Sequence, residues 1–144
     1  MNVIVREARP EDAESVCRLN RNELGYDYPL RETAGKLGKL LGDRRCRIFV
    51  AESGGTVVGY VHAVDYDVLY APHLKNILGI AVSSDSRRSG VGRLLLAAVE
   101  QWAKDTGATG IRLVSGISRT GAHKFYLACG YTENKEQKNF KKML

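Results

Sequence analysis

Cysteine is scarce and scattered: Cys17, Cys46 and Cys129 make three, with no C-x-x-C pair. That spacing excludes a disulfide framework and a zinc site, and it predicts three thiols acting as small core residues. No metal site is expected. Long apolar runs are also missing, and nothing approaches the roughly 20 residues that span a bilayer. The opening "MNVIVREARPEDAE" acquires charge at once and has no apolar h-region, so neither a signal peptide nor a membrane partner is expected. A soluble, cytoplasmic protein is the default expectation. Linkers, repeats and low-complexity tracts are absent as well, which predicts one domain over residues 1–144.

What is present can fill a core: 44% of the 144 residues are hydrophobic. The net charge of +6 favours a polyanionic partner, whether nucleic acid, anionic membrane or a phosphorylated small molecule. Alternating branched residues predict strands over 2–8, 45–52 and 56–66, the last two joined by "SGG" as a hairpin. A buried strand is predicted at 76–82, another strand at 110–116, and closing strands at 131–135 and 138–144. Helices are predicted over 9–20, 91–107 and 119–130. A further helix at 30–41 carries Gly35 and Gly38, so a short or mobile one is expected. The order is α/β with an antiparallel start.

One stretch carries chemistry. "SSDSRRSGVGRLLL", Ser83 to Leu96, joins the strand ending at Val82 to the strongest helix. A helix start bears unpaired N–H groups and partial positive charge. Gly90 and Gly92 allow a ligand close to the backbone, and Arg87, Arg88 and Arg93 add full charges. The combination predicts a phosphate site. A Walker loop is excluded because no Lys-Ser/Thr follows Gly92. A dinucleotide loop is excluded because position 95 is leucine.

"RRSGVG" is R-x-x-G-x-G, and it resembles the acyl-CoA motif of the GNAT superfamily of N-acetyltransferases. "RTGAHKFYLACGY" is similar to that family's later motif, and the order of elements agrees along nearly the whole chain. The resemblance implies a single domain with a mixed, mostly antiparallel central sheet flanked by helices. It implies acetyl-CoA as acyl donor, with Ile80, Ala81 and Val82 on the strand that pairs with the pantetheine arm. It gives the pyrophosphate to the amides of Arg88, Ser89, Gly90, Val91, Gly92 and Arg93, with Arg87 opening the motif. Tyr126 becomes the acid that protonates the leaving thiolate. Ser118 falls where the family often has a cofactor-contacting asparagine. A homodimer is a further implication.

The family's usual carboxylate base is missing, because Asn76 to Val82 contains no Asp or Glu. Neutralising an amine of pKa about 10.4 at pH 7 costs about 4.6 kcal/mol, and one near 8 costs about 1.4 kcal/mol. Either the acceptor deprotonates easily or the base lies elsewhere. Asp65, Tyr66 and Asp67 are the nearby candidates for base or substrate anchor, with His73 read as a loop residue. Two readings stand beside acyl transfer to a small-molecule or peptide amine. The first is a non-catalytic CoA-binding sensor or interaction module. The second, nucleic-acid binding, is disfavoured because the arginines form a compact cluster. "ELGYDYPLRETAGKL" lies where the family builds its acceptor wall, with Tyr26, Asp27 and Tyr28 able to line a polar cleft.

Overall fold

In the computed structural model, which describes residues 2–144, five strands run at Val3–Glu7 (β1), Cys46–Ser53 (β2), Thr56–Tyr66 (β3), Leu74–Val82 (β4) and Ile111–Leu113 (β5). They form one sheet in that order. The first three junctions are antiparallel and β4–β5 is parallel. The predicted hairpin is present: Ser53 and Thr56 pair across Gly54–Gly55. The α-helices are Ala13–Leu19 (α1), Leu30–Leu41 (α2), Val91–Asp105 (α3) and Thr120–Ala128 (α4). The described residues divide into two compact units, one reaching Leu113 and one running from Val114 to Leu144.

In the first unit, side-chain alternation along the strands separates two packed faces. Ile48, Val50, Val57, Tyr60 and Ala81 meet Ala13, Val16 and Leu19 of α1 and Leu37 of α2. On the other face α3 packs on β1 to β4, burying Val91, Leu95, Leu96, Val99 and Trp102, the i, i+4, i+8 stripe of an amphipathic helix. Cys17 and Cys46 are buried, as expected of core thiols, and Cys129 is partly so.

Close seating of α3 requires Gly59 on β3. A β-carbon there would come within 3.0 Å of the Ala81 carbonyl oxygen and 3.1 Å of the Leu95 and Val91 methyls. The carbonyl belongs to the sheet and cannot step aside. Gly59→Ala is therefore expected to cost about 1–3 kcal/mol, a fall in Tm on the order of 5 °C. Thermal unfolding checks this, and an unchanged Tm would contradict the seating.

Three expectations need correction. The helix at 30–41 is a full twelve-residue helix, because Thr33 and Leu37 are buried while Gly35 and Gly38 face open space. Packing of one face outweighs the propensity penalty. The strand predicted at 110–116 shrinks to Ile111–Leu113, since its pairing with β4 stops at Ile77. The closing strands at 131–135 and 138–144 do not form. That segment is rich in Lys, Glu and Asn, and its Phe140 is 87% exposed, so it has no apolar face to bury on a sheet.

Candidate active site

The site begins with a defect in β4. His62 pairs with Gly79 and Ala63 with Ile77, so Leu78 is an extra residue, a β-bulge. β5 pairs only with Lys75, Asn76 and Ile77. Past the bulge, Leu78 to Val82 has β3 on one side and no strand on the other among the described residues. An open strand edge offers N–H and C=O groups to an extended ligand. Ile80 and Val82 pair with Val61 and Gly59 on the α3 face, and Ala81 is buried on the other.

This edge leads directly into the predicted loop. Ser83 N–H donates to Val58 O at 2.8 Å, and a 3-10 turn covers Ser84–Ser86. Ser89 Oγ donates to the Ser86 carbonyl. Arg88 and Gly90 are both left-handed, with φ of 66° and 84°. Gly90 occupies the cap position of α3 and has no side chain to satisfy the first-turn N–H groups. A β-carbon on it would meet nothing within 4 Å. The space beside Gly90 is therefore open, and the helix start, with no side-chain cap, turns the positive end of its dipole to that side.

Arg87 is not available in the same way. Its Nη2 donates to Glu23 Oε1 at 2.8 Å. The same carboxylate, only 8% exposed, accepts from Ser84 N–H at 3.1 Å and Ser84 Oγ at 2.9 Å. Glu23 lies in a π-helical turn, Asn20–Leu24, that continues α1 and ends at left-handed Gly25. It is an internal counter-ion that lowers the arginine repulsion in the loop. Sequence reasoning missed it, because nothing local marks a partner 64 positions away. Arg88 makes no ion pair among the described residues.

The candidates at the end of β3 separate. Asp65 faces α3, where Lys75 Nζ donates to its carboxylate at 2.5 Å and His73 Nε2 lies 2.9 Å away. Lys75 is buried to 1% exposure, and its ammonium sits 3.6 Å from the Trp102 ring centroid. Burial opposes ionisation of Asp65, but the bonds from Lys75 and His73 outweigh it and hold the carboxyl below its usual range. His73, expected as a loop residue, is thus part of an ion cluster. Tyr66 points to the opposite face, with its hydroxyl 2.9 Å from that of Tyr70 and the Arg112 guanidinium 4.3 Å from its ring centroid. Asp67 is exposed beyond the strand. In the segment expected to form the acceptor wall, Tyr26 and Tyr28 are exposed, and Asp27 pairs with Arg21 at 3.4 Å.

Ser118 and Tyr126 belong to the second unit. Ser118 is exposed in the turn before α4. Tyr126 lies on α4 between the rings of Phe125 and Tyr131, at 5.4 and 6.2 Å. Burial pushes its hydroxyl above the ordinary tyrosine value. Gly130 closes the helix as predicted, with Tyr131 N–H donating to Tyr126 O at 3.0 Å and Gly130 N–H to Leu127 O at 3.1 Å.

Residues 9–131 match the Acetyltransferase (GNAT) family. The chain belongs to that family. The match runs through both the loop from Arg87 to Arg93 and the Tyr126 helix. The aminoalkylphosphonate N-acetyltransferase of Salmonella typhimurium is 33% identical over 135 residues, covering 90% of this chain and 85% of the relative. N-acetyltransferase 8 of Rattus norvegicus is 35% identical over 97 residues, 67% of this chain, and this chain spans only 44% of that protein. Among solved structures, the aminoglycoside N-acetyltransferase AAC(6')-Iy in complex with CoA superposes with a TM-score of 0.88 at 20% identity, covering 99% of this chain and 96% of that one. The GNAT fold is therefore shared, with its five-stranded mixed sheet. Among the described residues no helix is long and apolar enough to cross a membrane, and no cluster of His, Cys, Asp or Glu could hold a metal ion.

Proposed function

We propose that this GNAT chain, as one domain, transfers an acetyl group from acetyl-CoA to a primary amine by direct attack, with no acyl-enzyme. One observation carries the reading: the open edge of β4 past Leu78 runs straight into the uncapped start of α3. The two features fit the two parts of the donor. Ile80, Ala81 and Val82 supply backbone groups to the pantetheine arm. The amides of Arg88 to Arg93 take the pyrophosphate, with Arg88 adding charge and Ser118 a further contact.

The amine nitrogen forms a bond to the thioester carbonyl carbon, and the carbon–sulfur bond breaks. The amine gives up a proton, and Tyr126 returns one to the leaving thiolate. The chain contributes positioning and a strand amide near Val82 for the developing oxyanion. Asp65 is weakened as a base by the bonds that already hold it. Of Tyr66 and Asp67 at most one serves as acceptor anchor, since successive strand residues face opposite ways, and an amine of low pKa loses its proton most cheaply. A small-molecule acceptor, a homodimer and a cytoplasmic location complete the proposal, with no part for nucleic acid.

The test is thiol release from acetyl-CoA against amines grouped by pKa and charge. One CoA thiol per acetylated amine is the expected stoichiometry. CoA binding without turnover of any amine would favour the sensor module instead. Arg88→Glu is expected to raise the KM for acetyl-CoA about 10- to 100-fold, the worth of one charged hydrogen bond. An unchanged KM would remove the loop from the donor site.

A further inference from the structure

A second cationic site lies at the other end of β4. Arg112 of β5 pairs in register with Asn76, and its Nη1 donates to Asn76 Oδ1 at 2.7 Å. Its guanidinium stacks on Tyr66, whose hydroxyl meets that of Tyr70. Arginine has five N–H donors in a planar fork, and this bond uses one. No carboxylate pairs with Arg112 among the described residues. Asn76 and Val82 are six residues apart in the strand, roughly 20 Å, so this guanidinium and the phosphate loop serve different anions.

The side of the sheet is informative. Lys75 reaches Trp102 on the α3 face, so Asn76 and its partner Arg112 lie on the face of α1 and α2. On that same face Tyr60 donates to Asn20, which opens the π-helical turn leading into the predicted acceptor wall, and its hydroxyl lies 3.6 Å from where a β-carbon on Gly79 would stand. The bulge at Leu78 thus has the acceptor wall on one side and Arg112 on the other. Several carboxylates of the first unit are paired: Glu23 with Arg87, Asp27 with Arg21, and Asp65 with Lys75 on the far face. Asp67 and Glu32 are exposed and make no ion pair among the described residues. At Arg112 itself an anion would find a pre-oriented fork.

We propose that Arg112, held by Asn76 and Tyr66, binds a compact anionic group on the acceptor, a phosphonate or carboxylate a few bonds from the reacting amine. The inference rests on the acyl-transfer reading and selects its substrate class. It makes Arg112 a specificity-determining residue.

The test compares 2-aminoethylphosphonate, β-alanine, propylamine and an aminoglycoside as acceptors. Anionic amines are expected to exceed propylamine in kcat/KM by about tenfold or more, the scale of one charge-assisted bidentate contact. A preference for phosphonate or for carboxylate supports the subsite and identifies the anion. In Arg112→Gln the anionic-to-neutral ratio is expected to fall towards one. Should that variant fail to fold, Arg112→Lys keeps the charge but loses the fork, and a several-fold fall is expected. An aminoglycoside preferred over both anions, or a ratio that neither variant changes, would overturn the proposal. If no amine turns over, the acyl-transfer reading fails separately. Calorimetric titration of 2-aminoethylphosphonate into the CoA-bound protein then decides the subsite. A Kd about tenfold weaker in the variant supports it, and no binding to the unmodified protein overturns it.

Discussion

Tyr126→Phe is expected to lower kcat about 100-fold while the KM for acetyl-CoA stays within about threefold, since general acid catalysis contributes about 10² to 10⁴. The lower end of that range follows from the site. A thiol leaves with a pKa near 8.5, and burial pushes the Tyr126 hydroxyl up from its ordinary value. The acid is thus weaker than the group it protonates, and its help is a hydrogen bond that strengthens as the thiolate develops. Phenylalanine keeps the ring between Phe125 and Tyr131, so Tm should not move. The sign of the shift also sets the pH profile. A raised pKa keeps the acid protonated to higher pH, so no falling limb of kcat should arise from Tyr126 below the ordinary tyrosine range. Steady-state kinetics across pH decides the matter, and an unchanged kcat at unchanged Tm would take Tyr126 out of the chemistry.

The legible parts of this protein were those written locally. R-x-x-G-x-G can be read because left-handed Gly90, the arginines and the helix start are adjacent in the chain. The α3 stripe from Val91 to Trp102 can be read because burial repeats every turn. Pairing across long sequence distance was hidden. Glu23 looks like any helix glutamate until the π-helical turn brings it to Arg87 and Ser84. Lys75 stood just outside the predicted strand at 76–82, in the stretch that Pro72 interrupts. Its burial depends on Asp65 directly across the β3–β4 register and on the Trp102 ring. Arg112 likewise reads as an ordinary strand residue until Asn76 and Tyr66 flank it. The bulge at Leu78 leaves no mark in "NILGIAV", because hydrophobic pattern fixes a face but not the residue at which register slips.

Asp65→Ala is expected to be the most destabilising single change near the site, at about 3–5 kcal/mol, because it strands a buried ammonium. Lys75 is 1% exposed and Asp65 is 26% exposed at the side chain, so the two halves of the pair are not equivalent. Removing the lysine leaves a carboxylate that still has His73 and water. Lys75→Met, which also fills the space against Trp102, should therefore cost much less than Asp65→Ala. Acid should weaken the Asp65 contribution. The folded pKa of Asp65 lies below its unfolded value near 3.8. Its stabilisation is therefore complete above the unfolded value and is lost as pH falls through the folded one. Denaturant unfolding at pH 7 and pH 3 should show the gap between wild type and Asp65→Ala narrower in acid, and a gap of the same size at both pH values would contradict the pairing. The same series separates structure from chemistry. Asp65→Asn keeps an acceptor for Lys75, and in folded protein its kcat should stay within a few-fold of wild type. A hundredfold loss at unchanged Tm, together with disappearance of the acid limb of the pH profile, would make Asp65 the base after all.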